Sequence, residues 1–241
     1  MPYDTEFPVA AKVAHVEPLR GLPQKASPRH TALIVIDMQN DFIADEGLIA
    51  KEGLDVTPAQ QLAERLPALI ETARKAGVLV VFVRNVYSTD GNFYLSDAWL
   101  EQAARKRGGS YTRVPVCAPG SWQGDFYGAV RPLPSEPIIT KHRFSAFHNT
   151  DLDTVLRANG IRTVVMTGVV TNVCVETTAR EAFIRDYYVV MVDDGTAAFD
   201  RRDHEMTLHN IDRFFGEVTT IADLTAIWPP RNAPPEHGRP A

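Results

Sequence analysis

Unbroken apolar runs alternate with amphipathic stretches along most of this chain, and the two patterns assign its elements. Residues 32–37 (Ala-Leu-Ile-Val-Ile-Asp) and 78–83 (Val-Leu-Val-Val-Phe-Val) are apolar at nearly every position, and 162–167 has the same character between polar ends. A strand wetted on one face alternates apolar with polar residues, whereas a strand covered on both faces does not, so these runs read as strands of a doubly covered sheet. Shorter apolar runs at 138–140, 187–192 and 217–221 read as further strands. Between them, Leu62, Leu66, Leu69, Ile70 and Ala73 recur at helical spacing. Thr57 is read as the N-cap of that helix, with Pro58 at the first helical position, Gln60 completing a capping box and Gly77 as the stop. Pro67 within it predicts a kink. Further helices are read at 96–107, from Thr150 (capped with Asp153, ended by Gly160), at 173–186, at 203–215 and as a short terminal helix.

Strands alternating with helices of this length imply right-handed crossovers. The predicted architecture is therefore α/β, a three-layer α/β/α arrangement around an open, mostly parallel, doubly wound sheet. Residues 1–30, rich in Pro and polar residues, read as an arm on the surface or on a partner subunit, residues 31–228 as one domain, and 229–241 as a disordered tail. The stretch 85–137 is long and irregular, the kind of insertion that builds a site wall or an interface.

The chain has 241 residues, enough for a large core, and 25 Lys+Arg against 30 Asp+Glu give a formal charge of -5 without a basic face. Nucleic acid is not an expected partner. No apolar run approaches the roughly 18 residues of a membrane span, and the first residues lack a signal-peptide pattern, so a cytoplasmic protein with no membrane partner is expected. Cys117 and Cys174 are its only cysteines, too few for a disulfide framework or a paired zinc site.

Candidate chemistry centres on the run Val164-Val-Met-Thr-Gly-Val-Val-Thr-Asn-Val-Cys174-Val-Glu-Thr-Thr, where a strand passes through a short turn into a helix whose first turn holds Cys174. Free N–H groups and aligned peptide dipoles at a helix start favour a thiolate, the nucleophilic form. The same groups are suited to a developing oxyanion. In an open parallel sheet, sites lie beyond the carboxyl ends of the strands. Asp37, Lys141 and Cys174 each follow such an end. A carboxylate supplies a base for the thiol and an acid for the leaving nitrogen, and a lysine balances the negative charge. Taken singly, Asp37 reads equally as a strand-end cap and Lys141 as a solvated surface residue. Cys117, in a Pro-rich loop, is read as incidental.

Ala32-Leu-Ile-Val-Ile-Asp37-Met-Gln-Asn-Asp-Phe42, Ile139-Thr-Lys141-His-Arg-Phe-Ser-Ala-Phe147 and Thr167-Gly-Val-Val-Thr-Asn-Val-Cys174 occur in that order, and over residues 28–228 the chain resembles the isochorismatase-like cysteine hydrolases. The resemblance implies an Asp37, Lys141, Cys174 triad, a non-proline cis peptide between Val169 and Val170, and an oxyanion hole of the Val170 and Cys174 backbone N–H groups. It implies attack of Cys174 on a carboxamide or ureido carbonyl, a thioester intermediate, and proton transfer by Asp37. No cofactor is implied. Nicotinamidases of the family carry an Asp-x-His metal motif after the second strand, where this chain reads Val83-Arg-Asn-Val-Tyr87-Ser-Thr-Asp90 without a histidine. His142 and His148 lack a carboxylate at ligand spacing, so no metal is expected.

Within the family the chain is most similar to ureidoacrylate amidohydrolases, through Pro119-Gly-Ser-Trp122, Phe147-His-Asn-Thr150-Asp-Leu-Asp and Asn210-Ile-Asp-Arg-Phe-Phe-Gly216, with biuret hydrolases as a second relative. The expected partner is a small amide or ureide substrate. Asn85 is a candidate for binding a ureido group or for capping its loop, and Phe42, Tyr94 and Trp122 for apolar walls or core. Arg143 is a candidate for holding a substrate carboxylate or for pairing with a fold acid. Other readings kept open are a non-catalytic binding member and an isochorismate-type ether hydrolase. A homodimer or homotetramer is expected from the family.

Overall fold

The computed structural model describes residues 17–106 and 114–231. Its sheet contains β1 (Thr31–Ile36), β2 (Leu79–Asn85), β3 (Ile138–Lys141), β4 (Thr163–Val169), β5 (Tyr188–Ala197) and β6 (Glu217–Thr219), in the spatial order β3-β2-β1-β4-β5-β6. Every pairing among them is parallel, so the sheet is wholly rather than mostly parallel. The order reverses direction between β1 and β4, the switch point at which such sheets open a crevice. The edge strand β3 has β2 as its single neighbour.

Successive residues of a strand face opposite sides, and the core divides accordingly. Leu33 and Val35 of β1 join Val80, Phe82, Val165 and Val190 in one layer, covered by the long helix α4 (Thr57–Ala76) through Leu62, Leu66, Leu69 and Ile70. Ala32, Ile34 and Ile36 join Val81, Val83, Val164, Met166 and Met191 in the other. That second layer is covered by α6 (Leu152–Ala158), α7 (Glu176–Ile184) and α8 (Arg201–Phe214), contributing Leu152, Leu156, Ala179, Ala182 and Ile211. Short helices α1 (Gly21–Lys25), α2 (Asn40–Ile43) and α3 (Leu48–Lys51), with α5 (Asp97–Lys106) and the terminal α9 (Ile221–Ile227), complete the elements used below.

Several local expectations are corrected. Thr57 lies inside α4 and does not cap it; its N–H donates to Asp55 Oδ1 at 2.9 Å, while Gln60 Nε2 reaches Asp45 Oδ1 at 2.8 Å. An acid two residues upstream has satisfied the orphan donor that the capping box would have served. Pro67 lies inside the helix as expected, and the helix continues to Ala76. Strands β2, β4 and β5 each run past the expected carboxyl end, because Arg84 and Asn85, Gly168 and Val169, and Thr196 and Ala197 still find ladder partners. Residues 17–30 lie on this chain's own body: Trp228 Nε1 donates to the Ala26 carbonyl at 2.7 Å, Leu19 N–H to the Tyr188 hydroxyl at 2.9 Å, and Lys25 pairs with Glu217. Residues 229–231 are likewise packed, with the Arg231 N–H donating to the Lys75 carbonyl at 2.9 Å. The rest of the expected arm (1–16) and tail (232–241), and residue 107 of the expected 96–107 helix, lie outside the described residues.

Helix α8 starts two residues earlier than expected because Asp200 caps it, its carboxylate accepting from Arg202 N–H and Asp203 N–H. Asp200→Ala should cost about 1 kcal/mol of stability, seen as a lower urea midpoint with an unchanged slope; an unchanged midpoint would mean that water serves those donors as well.

Candidate active site

The chain leaves β1 at Asp37 with φ 52, a left-handed turn that an aspartate tolerates better than most residues. Its N–H still bonds the Val83 carbonyl of β2 at 3.0 Å, so the carboxyl group is held at the rim of the sheet. On the other side of the switch point, Gly168 of β4 passes against Ile36 of β1 with φ +104, and a Cβ built there would lie 2.1 Å from the Ile36 carbonyl oxygen. Only glycine allows the strands to approach this closely just before the next turn. The Val169–Val170 peptide is cis, and the chain then enters a π-helical turn, Thr171–Val175, that carries Cys174 and continues into α7.

Lys141, the last residue of edge strand β3, reaches this point across β2 and is fully buried. Its Nζ lies 2.7 Å from Asp37 Oδ2, donates to Cys174 Sγ at 3.3 Å and donates to the Arg143 carbonyl at 3.1 Å. The ammonium is thus ion-paired with the carboxyl and hydrogen-bonded to the thiol and to a carbonyl. The ammonium expected to join the carboxyl and the thiol therefore touches both. A buried ion pair gains little net stability once both charges are desolvated, so this one is better understood by what it can do than by what it holds together.

Burial pushes the Asp37 carboxyl above its usual range, with Lys141 only partly opposing. Burial alone would lower the Lys141 ammonium, yet Asp37 and Cys174 outweigh it and raise it, so the lysine stays charged. The Cys174 thiol is pushed up to about 12, first by burial and further by Asp37, against the pull of Lys141. Desolvation beside a carboxylate thus opposes the helical end in its pull on the thiol proton, and Lys141 links the sulfur to Asp37. A carboxyl with a raised pKa is suited to taking that proton and returning it.

Asn85, in register with Lys141 on the neighbouring strand, is completely buried, and neither Nδ2 nor Oδ1 of its carboxamide has a hydrogen-bond partner among the described residues. Leaving such a group unpaired costs about 1–3 kcal/mol. Gln39 holds the backbone beneath it: its Oε1 accepts from the Asn85 N–H at 2.7 Å and its Nε2 donates to the Asn85 carbonyl at 3.0 Å and to the Gly124 carbonyl at 2.9 Å. Sequence reasoning missed Gln39, although it sits two residues past Asp37 in the first motif. Asp41 of that motif is buried too, accepting from Cys117 N–H at 2.8 Å and Leu48 N–H at 3.3 Å, so this second carboxylate anchors loops. Cys117 is fully buried, and burial drives its thiol well above the usual range.

The other candidates are placed variously. Phe42 is in the core layer of α4. Tyr94 and Trp122 are half exposed; the Tyr94 ring stacks on His142 with centroids 3.6 Å apart, and the Trp122 carbonyl accepts from Asn40 Nδ2 at 2.6 Å. Arg143 Nη1 donates to the carbonyls of Tyr94 and His142 at 2.9 and 2.6 Å, and its guanidinium lies over the Trp99 ring, so it binds the backbone rather than a fold acid. Tyr94 also lines a cavity of about 680 Å³ with Ser88, Thr89, Phe93, Val114 and Pro119, from the expected insertion. Among the described residues no group of His, Cys, Asp and Glu is arranged to hold a metal; His142 Nδ1 instead faces the Val86 carbonyl at 2.7 Å. No helix among them is long and apolar enough to cross a membrane.

A thiol and a carboxyl joined by one buried ammonium at the switch point of a parallel sheet have the parts that nucleophilic attack on a carbonyl requires, and fold and site together define an α/β hydrolase. A family model described as the isochorismatase domain matches residues 31–223. The ureidoacrylate amidohydrolase RutB of Variovorax paradoxus is 35% identical over 237 residues, covering 92% of this chain and 91% of its own length. Among solved structures, a cysteine hydrolase from Pseudomonas syringae pv. phaseolicola superposes with a TM-score of 0.72 at 31% identity, covering 88% of this chain and 97% of its own. N-carbamoylsarcosine amidase from Thermoplasma acidophilum gives 0.61 at 28%, covering 80% and 96%. The chain belongs to the isochorismatase family of hydrolases.

Proposed function

We propose that this enzyme hydrolyses the C–N bond of a small ureido, carbamoyl or amide compound through a thioester on Cys174, a ureidoacrylate-type substrate being the best fit. The observation that supports it most is the Lys141 ammonium touching both Asp37 and Cys174 inside a buried site. In the proposed course the Cys174 thiol gives its proton to Asp37 as sulfur bonds the carbonyl carbon. The backbone N–H groups of Val170 and Cys174 hold the resulting oxyanion. Collapse breaks the C–N bond, and the amine leaves with the proton from Asp37. Water then adds to the thioester, its proton again passing to Asp37, and departure of the thiol restores the site. Lys141 stays charged throughout and balances whichever neighbour is anionic.

The substrate class is supported by Asn85, whose unpartnered carboxamide offers a donor and an acceptor, the complement of a ureido group. Relatives named for ureidoacrylate and N-carbamoylsarcosine carry that same group in their substrates' names. A ureide cleaved at its carbonyl ends as ammonia directly or through carbamate. The test is ammonia release from ureidoacrylate, biuret, N-carbamoyl amino acids, nicotinamide and simple amides, with pyruvate release from isochorismate as the contrasting assay. Turnover of a ureide is expected, with Asn85→Ala raising KM about tenfold, the worth of about 1.4 kcal/mol. Pyruvate without ammonia would replace the reading with ether cleavage, and neither product would favour a binding protein.

A further inference from the structure

Helix α8 is tied to the nucleophile's turn by a row of side-chain hydrogen bonds. Thr171 Oγ1 lies 3.0 Å from His204 Nδ1, Asn172 Nδ2 donates to Asp203 Oδ2 at 2.9 Å, and Thr207 Oγ1 donates to Glu176 Oε2 at 2.8 Å. The first of these extends further, because His204 Nε2 lies 2.9 Å from Asp193 Oδ1 on β5. A carboxylate can only accept, which places a proton on Nε2; in the neutral ring Nδ1 is then the acceptor and the Thr171 hydroxyl its donor. Carboxylate, imidazole and hydroxyl follow in the order of a nucleophilic triad. Thr171 is fully buried and its hydroxyl bonds His204 of α8, apart from the Lys141 contacts that gather Asp37 and Cys174, so the array is read as a support.

Its effect falls instead on the backbone. Thr171 directly follows Val170 and opens the turn of Cys174, while Val169 on the other side is fixed by pairing with Ala197 of β5. Val170 stands between these anchored neighbours, its own carbonyl accepting from the N–H groups of Val173 and Val175 at 3.0 and 3.2 Å, and His204 adds a side-chain tie at the residue that follows it. We propose that His204 is a positioning residue for the reaction: anchored by Asp193, it holds Thr171 and so keeps the Val170 N–H aimed at the developing oxyanion. This rests on the hydrolase reading given above, in which Val170 supplies that donor.

The test compares the full-length enzyme with His204→Ala, His204→Asn and Thr171→Val, using the ureide turned over best. Ammonia release is measured beside the rate at which iodoacetamide alkylates Cys174, followed by peptide mass. Displacement of iodide develops no carbonyl oxyanion, so alkylation reports the thiol alone. Losing one oxyanion donor outright costs about 10²–10³ in kcat, and misaiming one should cost His204→Ala about 10–10². KM should stay within about twofold, since uniform binding is untouched, and alkylation should keep its wild-type rate. His204→Asn, whose amide occupies the Nδ1 position, should recover most of the loss. Thr171→Val should match His204→Ala, and the two together should be no slower than either, because they share one interaction. If His204→Ala does not fold, the nearly isosteric Thr171→Val carries the comparison. Unchanged kcat, alkylation falling in step with kcat, or a His204→Asn variant as slow as His204→Ala overturns the inference while the hydrolase reading stands. A wild-type enzyme that releases no ammonia from any ureide or amide removes both.

Discussion

Cys174→Ala is expected to lose at least about 10³-fold in ammonia release, the scale seen when a covalent nucleophile is removed and only binding and oxyanion contacts remain. The variant should stay folded, because the side chain is small and its neighbours Val175 and Ala179 are anchored independently in the core. Asp37→Asn should fall by about 10²–10⁴, the usual worth of a positioned acid–base group. The pH profile separates the two roles. Attack requires Asp37 ionised, and burial raises its pKa, so kcat/KM should be full above that raised value and decline as pH falls through it, at a pH above the ordinary carboxylate range. Rates are read between pH 4 and 9 with a stable ureide. An acid limb within the range of an exposed aspartate would remove Asp37 from the proton-transfer role, and an active Cys174→Ala would end the covalent mechanism.

Gly168→Ala is expected to be the most damaging single methyl in the molecule. The added carbon would meet Ile36 O at 2.1 Å, Ile36 N at 2.7 Å and Ile36 C at 2.8 Å, all backbone of the central strand and none able to swing aside. At φ +104 the alanine is also in a region open essentially to glycine. Backbone strain of about 1–3 kcal/mol and overpacking of about 1–3 kcal/mol together predict a loss of about 2–6 kcal/mol. Relief requires β1 and β4 to separate, which would also part Asp37 from Cys174, so activity should fall further than the folded fraction. Urea unfolding and the specific activity of the folded fraction measure the two effects. A variant of wild-type stability and rate would show that the strands are not in the close contact described.

The layered fold was legible because strands buried on both faces leave long apolar runs, as at 32–37 and 78–83, and helices such as α4 leave a stripe at i, i+4 and i+7. Asp37, Lys141 and Cys174 were legible because parallel topology sends every strand's carboxyl end to one rim, and their motifs are distinctive. What escaped has a common cause, since it depends on which long-range partner a polar group meets. Asp55 rather than Thr57 serves the start of α4, Gln39 clamps Asn85 from 46 positions away, and Arg143 finds carbonyls instead of a carboxylate. The burial that raises the Cys174 thiol escaped for the same reason, because a helix start favours a thiolate while the dryness around it depends on residues distant in the chain.

Of the converging groups, the acid and the sulfur follow the carboxyl ends of the two middle strands, whereas the amine is carried by a four-residue strand with a single neighbour. Protection against local opening is weakest at such margins. The working assembly is therefore only as durable as its outermost ribbon: fraying there would withdraw the positive partner and leave the other two facing each other in an otherwise intact body, so catalytic competence would be governed by a smaller free energy than the one that governs folding.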